Sequence, residues 1–313
     1  MTLMTDTDSA LLTNSVWFSR LESMAFTEIS GIDSKRFLQG QLSCNVLKLD
    51  EKTSLRGALC SLKGRVIADL RLVEDADKIL MLSRLDLQEK VLTTLNKYRV
   101  FFKTDLAEVN TKYFVYGIGG SGIDAIVAKL DIELPVLPDT CTQCQGATFI
   151  KMPTTSLLGI SRYLVVFPRS SEQAVALSLR LQQTLVELPE QLWTLADIRT
   201  GQAHPDLEQS EVFTPQLLNY DINGVIDFKK GCYTGQEIVA RMFYKADAKR
   251  RLFYVSSDLS GAVTQDKQLD VPTEDIVVSV KFESGRQESL VILNCEQAKL
   301  MPSVIELNRA EQS

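Results

Sequence analysis

Along Met24-Ala-Phe-Thr-Glu-Ile-Ser30 apolar and polar positions alternate with a period of two, which predicts a strand. Gly31-Ile-Asp33-Ser-Lys-Arg-Phe37-Leu38 then changes to helical spacing, with Asp33 at the N-cap position. Residues 54–60 and 65–73 flank Leu62-Lys63-Gly64 and predict a hairpin. A period near 3.6 predicts helices over 85–98, 123–130 and 172–186, the last behind the cap candidates Ser170 and Ser171. Strands are expected over 100–104, 112–116, 148–152 and 157–168. Residues 1–16 are polar and expected to fray, and 135–146, with two prolines and a pair of cysteines, is expected to be a loop. Beyond Arg251 short runs at 252–256, 276–282 and 289–293 lie between polar turns, the pattern of a small all-β unit.

The chain has 313 residues, 45% apolar and 24% charged, which suits two or three folded domains. Its net charge of −6 excludes a globally basic surface for nucleic acid, so any polyanion must meet a local patch. No apolar run approaches the ~18 residues of a membrane helix. The acidic start, with Asp6 and Asp8, does not resemble a secretory signal, and a cytoplasmic location is expected. Six cysteines are too sparse for a disulfide scaffold. A single histidine, His204, excludes sites that need several imidazoles and argues against Ser-His or Cys-His relays. Beside Pro205, it is expected to orient a turn.

The segment richest in chemistry is Asp227-Phe-Lys-Lys-Gly-Cys-Tyr-Thr-Gly-Gln-Glu-Ile-Val-Ala-Arg241. Thr234 and Glu237 have capping-box spacing, which predicts a helix from Gly235 and sets Cys232 just before its N-terminus. Free amides there, with Lys229 and Lys230, would favour thiolate at Cys232; a small buried residue in a tight Gly-Cys turn fits the same spacing.

Lys230-Gly231-Cys232-Tyr233-Thr234-Gly235-Gln236-Glu237 resembles the signature of the YgfZ family, folate-binding proteins of tRNA modification and iron–sulfur maintenance related to the glycine-cleavage T-protein, an aminomethyltransferase. Gly31 with Phe37-Leu-Gln-Gly-Gln41, the Lys63-Gly64-Arg65 turn, Lys97-Tyr98, and Gly201 with Pro205 fit the same family in order, over roughly residues 20 to 260. The resemblance implies an α+β T-protein-like fold: two ferredoxin-like units and a C-terminal β-barrel, forming a ring with a central channel. The implied division is 1–50 plus 155–247, 51–154, and 248–313. It implies tetrahydrofolate or a derivative as cofactor, with Cys232 as the catalytic candidate. Trp193, Asp69, Lys230, Tyr233, Gln236, Glu237 and Arg241 are the implied folate-binding residues. Where the T-protein has two adjacent acids this chain has Ala68-Asp69; Arg199 falls at the place of a pterin-contacting glutamate, and Met24 at that of a second aromatic.

Three other features need placing. Residues 229–251 carry seven cations against Glu237 and Asp247, a patch suited to a folate's glutamate tail, a tRNA or an acidic partner. Few aromatics are interleaved with these cations, so direct RNA contact is not expected. Gly117-Ile-Gly119-Gly-Ser-Gly122 matches a dinucleotide fingerprint, but without a succession of βαβ units it reads better as a flexible βα turn. Cys141 and Cys144 form a lone CxxC, too few ligands for zinc; Cys44, Cys60 and Cys295 read as core. The expected function is a folate-binding accessory protein in iron–sulfur enzyme maturation or repair, acting with iron–sulfur enzymes or assembly proteins and touching tRNA modification indirectly. The alternatives are a folate-dependent one-carbon transferase and, more weakly, an NAD-binding oxidoreductase using Gly117, Gly119 and Gly122.

Overall fold

The structure, a computed structural model, describes residues 3–245, 248–257, 272–300 and 304–306. Most of the segment expected to fray is instead helical: α1 (Asp6–Asn14) is closed by a capping box in which Thr5 and Asp8 bond each other's backbone N–H. Its fully buried residues are only Ser9 and Leu12, with Leu11 partly packed on the core, which is why its pattern read as polar. β1 (Val16–Arg20) and β2 (Met24–Ser30) follow, then α2 (Ser34–Gln39). Asp33 precedes α2 but makes no cap; its carboxylate accepts from the Lys103 N–H while its own N–H donates to the Lys103 carbonyl. That reciprocal clasp holds residues 100–104 as a turn rather than the expected strand.

β3 (Leu55–Cys60) and β4 (Val66–Asp75) form the expected hairpin, with Gly64 at φ +69° in its turn. β5 (Lys78–Arg84), α3 (Gln88–Arg99), β6 (Asp105–Glu108), β7 (Tyr113–Gly120) and α4 (Ile123–Ala128) come next. The segment expected as a loop contains β8 (Cys141–Cys144), joined to β9 (Ala147–Lys151) by Gln145-Gly146; both have positive φ, the geometry of a tight two-residue hairpin. β10 (Arg162–Pro168) starts later than expected because residues 155–159 turn on the Thr155 carbonyl. α5 (Glu172–Thr184), capped by Ser171, β11 (Val186–Glu187) and α6 (Glu190–Arg199) lead into a long irregular stretch before α7 (Gln236–Lys245). β12 (Arg250–Ser257), β13 (Ile276–Lys281), β14 (Gln287–Asn294), α8 (Cys295–Ala298) and β15 (Val304–Glu306) complete the described chain.

The strands form three sheets, ordered β11-β1-β7-β10-β9-β8, β3-β4-β5-β2-β6 and β13-β14-β12-β15. In place of the expected barrel, the described C-terminal strands form an open four-stranded antiparallel sheet. One buried cluster unites all three sheets, α6 and the irregular stretch, through residues such as Trp17, Leu82, Trp193, Tyr220 and Val280.

The glycine fingerprint is no nucleotide loop. β7 runs through Gly120, with β1 and β10 paired on either side. A side chain at Gly117 would overlap the Trp193 ring, one at Gly119 the Trp17 ring, and one at Gly120 the Ser15 carbonyl. These glycines let two indoles and a backbone lie close against a sheet, which is strand geometry; the expected βα turn is confined to Ser121-Gly122, before α4.

Candidate functional site: a cavity shared by three sheets

A cavity of about 120 Å³ is lined by residues of all three sheets and of α6. Trp193 is its flat apolar wall. One part of the ring lies over Gly117, the Arg162 guanidinium sits 4.6 Å from its centroid, and Trp17 meets it edge-on at 6.3 Å. Met24, half-buried at the head of β2, lines the opening where a second aromatic was implied.

The polar wall is a chain of charges. Asp69 of β4 is half-buried, and its Oδ2 is 2.5 Å from His204 Nδ1. His204 Nε2 lies 3.8 Å from Asp197 Oδ2, and the other oxygen of Asp197 meets Arg162 at 2.7 Å. Burial alone would raise the Asp69 carboxyl, but His204, then Arg56 and Arg84, outweigh it and hold it below the usual carboxylate range. His204 is therefore a cavity residue and not merely the turn-orienting residue its sequence suggested. Besides Asp197 Oδ1, which meets Arg162, four buried polar atoms on the cavity's residues have no hydrogen-bond partner: Asp69 Oδ1, Gln202 Oε1, Arg56 Nη2 and Ser83 Oγ. Leaving such a group unmatched costs about 1 to 3 kcal/mol, and these lie in one cavity beside a flat ring.

Arg199, aligned with a pterin contact, points away: it bonds both carboxylate oxygens of Glu288, at 2.9 and 2.7 Å, and Ser9. Two acids of α6 line the cavity, Glu190 and Asp197; Asp197 is four residues after Trp193 and hence on the same helix face, a spacing visible in the sequence. Arg56 and Arg71, opposite each other in the hairpin register, both line the cavity, as does Arg84. Sequence reading had singled out none of these arginines.

The signature segment forms a second, separate cluster. Lys230 is buried, and its ammonium donates to the Gln39 carbonyl at 2.7 Å and to that of Leu42, closing the C-terminal end of α2. Burial pushes its pKa down to about 8, against the opposing pull of Cys44 and Asp227. Lys230 therefore does not flank the thiol as expected; it reaches into the fold, with Tyr233 beneath it at 4.9 Å. Lys229 and Cys232 are exposed. The expected capping box is absent: the Thr234 hydroxyl donates to Gln41, Gln236 accepts from the Tyr233 N–H, and α7 begins at Gln236. Gly235, at φ +83°, faces the Ser61 carbonyl, and Ile238 abuts Gly64, so the β3–β4 turn docks on the signature. Tyr233 is buried, Gln236 is half-buried, and Glu237 and Arg241 are exposed. Trp193 and Asp69 line the cavity; Cys232, Lys230, Tyr233, Gln236, Glu237 and Arg241 do not.

The basic segment is not one free patch. Arg250 pairs with Asp275 at 2.5 Å and Arg251 bidentately with Asp221 at 2.9 Å; the Lys245 side chain and Asp247 lie outside the described residues. Cys141 and Cys144 are three apart on β8 and belong to different core clusters, which separates their thiols. Burial pushes Cys44 and Cys60 up to about 12 and Cys141 to about 11, as inert core thiols. Among the described residues no group of three or more His, Cys, Asp or Glu could hold a metal ion, and no helix is long and apolar enough to cross a membrane.

No family model matches the chain. The tRNA-modifying protein YgfZ of Shigella boydii is 30% identical over 285 residues, covering 88% of this chain and 84% of the relative, and the YgfZ protein of Escherichia coli matches to the same extent. Among solved structures, the glycine cleavage system aminomethyltransferase T from Bartonella henselae superposes with a TM-score of 0.70 over 95% of this chain and 84% of that one, at 12% identity. The fold is thus that of the T-protein, and the chain belongs to the family of the tRNA-modifying protein YgfZ.

Proposed function

We propose that this protein is a folate-binding accessory factor that takes tetrahydrofolate or a derivative in the cavity beside Trp193. In this reading it serves the maturation or repair of iron–sulfur enzymes in the cytoplasm, and its effect on tRNA modification is indirect. The observation that carries the reading is the meeting of a flat indole with unmatched buried polar atoms of Asp69, Gln202, Arg56 and Ser83 in one cavity. A pterin has the matching shape: a planar ring with donors and an acceptor along one edge. Bound there, a reduced folate would supply a one-carbon carrier; Trp193 would stack on it, and Asp69, Gln202 and Arg56 would fix its edge. Cys232, exposed on the signature, is proposed as the residue that acts on the client, with Lys230 and Tyr233 shaping its loop and Gln236, Glu237 and Arg241 presenting the surface around it.

The test is a parallel titration with tetrahydrofolate and NAD. Trp17→Phe leaves Trp193 as the single indole reporter. A saturable change with tetrahydrofolate and none with NAD is expected. An indole signal that stays flat at saturating folate overturns the placement, and a response to NAD alone overturns the function.

A further inference from the structure

At one corner of the molecule the turn before α2 and the turn after α3 come together around three bare apolar side chains. Ile32, Val100 and Phe101 are 89%, 77% and 80% exposed. Side chains that bare stand clear of their neighbours as a convex knuckle rather than lining a groove. Single exposed apolar residues are ordinary on a protein surface, but three bulky ones held together on one tip mark a contact site.

The knuckle is fixed in place. Gly31, at φ +114°, lies so close to the Lys103 carbonyl that a methyl group there would overlap it. On the other side of Ile32, the Asp33 carboxylate and N–H clasp the Lys103 backbone. The Phe102 N–H donates to the Arg99 carbonyl, which tightens the second turn, and the Phe102 ring meets Phe37 edge-on at 5.4 Å. With Phe102 anchored inward, Val100 and Phe101 are left facing out, so the tip is displayed without any rearrangement.

Charge gathers around it. Residues 31–36 and 97–105 carry five cations against two acids, in a chain whose net charge is −6. Lys35 is drawn to Glu74 at 2.7 Å, and Asp105 is paired with Arg99. Arg36, Lys97 and Lys103 are exposed beside the apolar tip, Arg36 lying 4.0 Å from Asp33. The size of the tip then selects the partner. A stable protein interface needs about 800 Å² from each side, more than three side chains supply, whereas a bilayer closes around a small tip and its anionic headgroups meet the surrounding cations.

We infer that this knuckle is a peripheral docking site for an anionic lipid bilayer: Ile32, Val100 and Phe101 enter the headgroup region while Arg36, Lys97 and Lys103 meet lipid phosphates. The tip lies in the interface and does not cross it. None of these residues lines the cavity beside Trp193, so the inference stands apart from the folate reading.

The experiment is cosedimentation of the full chain with vesicles of phosphatidylcholine alone and of phosphatidylcholine mixed with phosphatidylglycerol. The wild type is expected to pellet with the anionic vesicles only, and less as salt is raised. Ile32→Asp with Phe101→Asp should abolish pelleting, and Lys97→Gln with Lys103→Gln should weaken it by about fivefold for each charge removed. All four positions are exposed, so the melting temperatures of the variants should stay at the wild-type value. Phe101→Trp adds a direct reading: its emission should be quenched by bromine-labelled acyl chains, a signal that the buried Trp17 and Trp193 do not give. Failure of the wild type to pellet with anionic vesicles at low salt, equal pelleting with neutral ones, or unchanged pelleting of the aspartate variant overturns the inference. So does a wild-type dimer that the aspartate variant splits into monomers, because a second copy would then cover the tip.

Discussion

Gly117 and Trp193 share a space in which a single methyl group does not fit. Gly117→Ala therefore has to push the indole off β7. Forcing such an overlap costs about 1 to 3 kcal/mol, and the displaced ring should also lose the folate-induced change in its emission; urea unfolding and Trp193 fluorescence in a Trp17→Phe background report the two effects. Lys230 makes a different demand, for its ammonium is buried against carbonyls of the α2 end. Its pKa in the fold, about 8, lies below its ordinary value near 10.5, so between these values the unfolded chain binds more protons than the folded one. Stability should accordingly rise as pH climbs from about 8 to about 10.5, by roughly 1 to 3 kcal/mol. Comparing the wild type with Lys230→Met by urea unfolding at pH 7.5 and pH 10 isolates this contribution from the cysteines and tyrosines; equal pH slopes in the two proteins would remove it.

Among the elements, the junction of α7 with the β3–β4 turn rests on a glycine in the left-handed region that also touches backbone. Gly235→Ala strains φ at +83° and drives its methyl into the Ser61 carbonyl, whereas Gly122, at φ +82°, faces open space. The first substitution should cost about 2 to 4 kcal/mol and loosen the Cys232 loop, and the second about 1 kcal/mol, a contrast measurable by thermal unfolding and by thiol labelling of Cys232. Elements of this kind differ in how far the sequence discloses them. The β3–β4 hairpin and helices α3 and α5 follow from local periodicity and turn residues. The helix α1 does not, because only Ser9 and Leu12 are fully buried, and β8 hides because Gln145-Gly146 carries its turn inside a proline-rich stretch. The same divide runs through the site. Trp193 and Asp69 were legible through motif order, but the meeting of Asp69, His204 and Asp197 is made by segments far apart in the chain, and no spacing encodes it. Lys230 was misplaced for a related reason: spacing shows its neighbours in sequence and not the α2 carbonyls it reaches.

On the scale of the whole molecule, the C-terminal sheet is tied to the rest by buried charge. Glu288 of β14 accepts from Arg199 of α6 twice and from the Tyr254 hydroxyl, and Arg286 bridges it to Asp6 of α1. Removing one partner of a buried pair strands the other, so Glu288→Ala should destabilise the protein by about 3 to 5 kcal/mol, more than the paired replacement Glu288→Ala with Arg199→Met; thermal unfolding of the two variants decides. The same corner joins the residue before the α1 cap to the end of β13, since the Met4 N–H donates to the Lys281 carbonyl and the Glu283 N–H to that of Met4. Such closure sets an order in time. Some 280 residues separate these partners, and at ~5 to 20 residues per second a ribosome needs about 15 to 60 s to deliver the second after the first. Through that interval the Met4 backbone has no β13 end to pair with, and a chaperone that holds nascent chains has that long to find it.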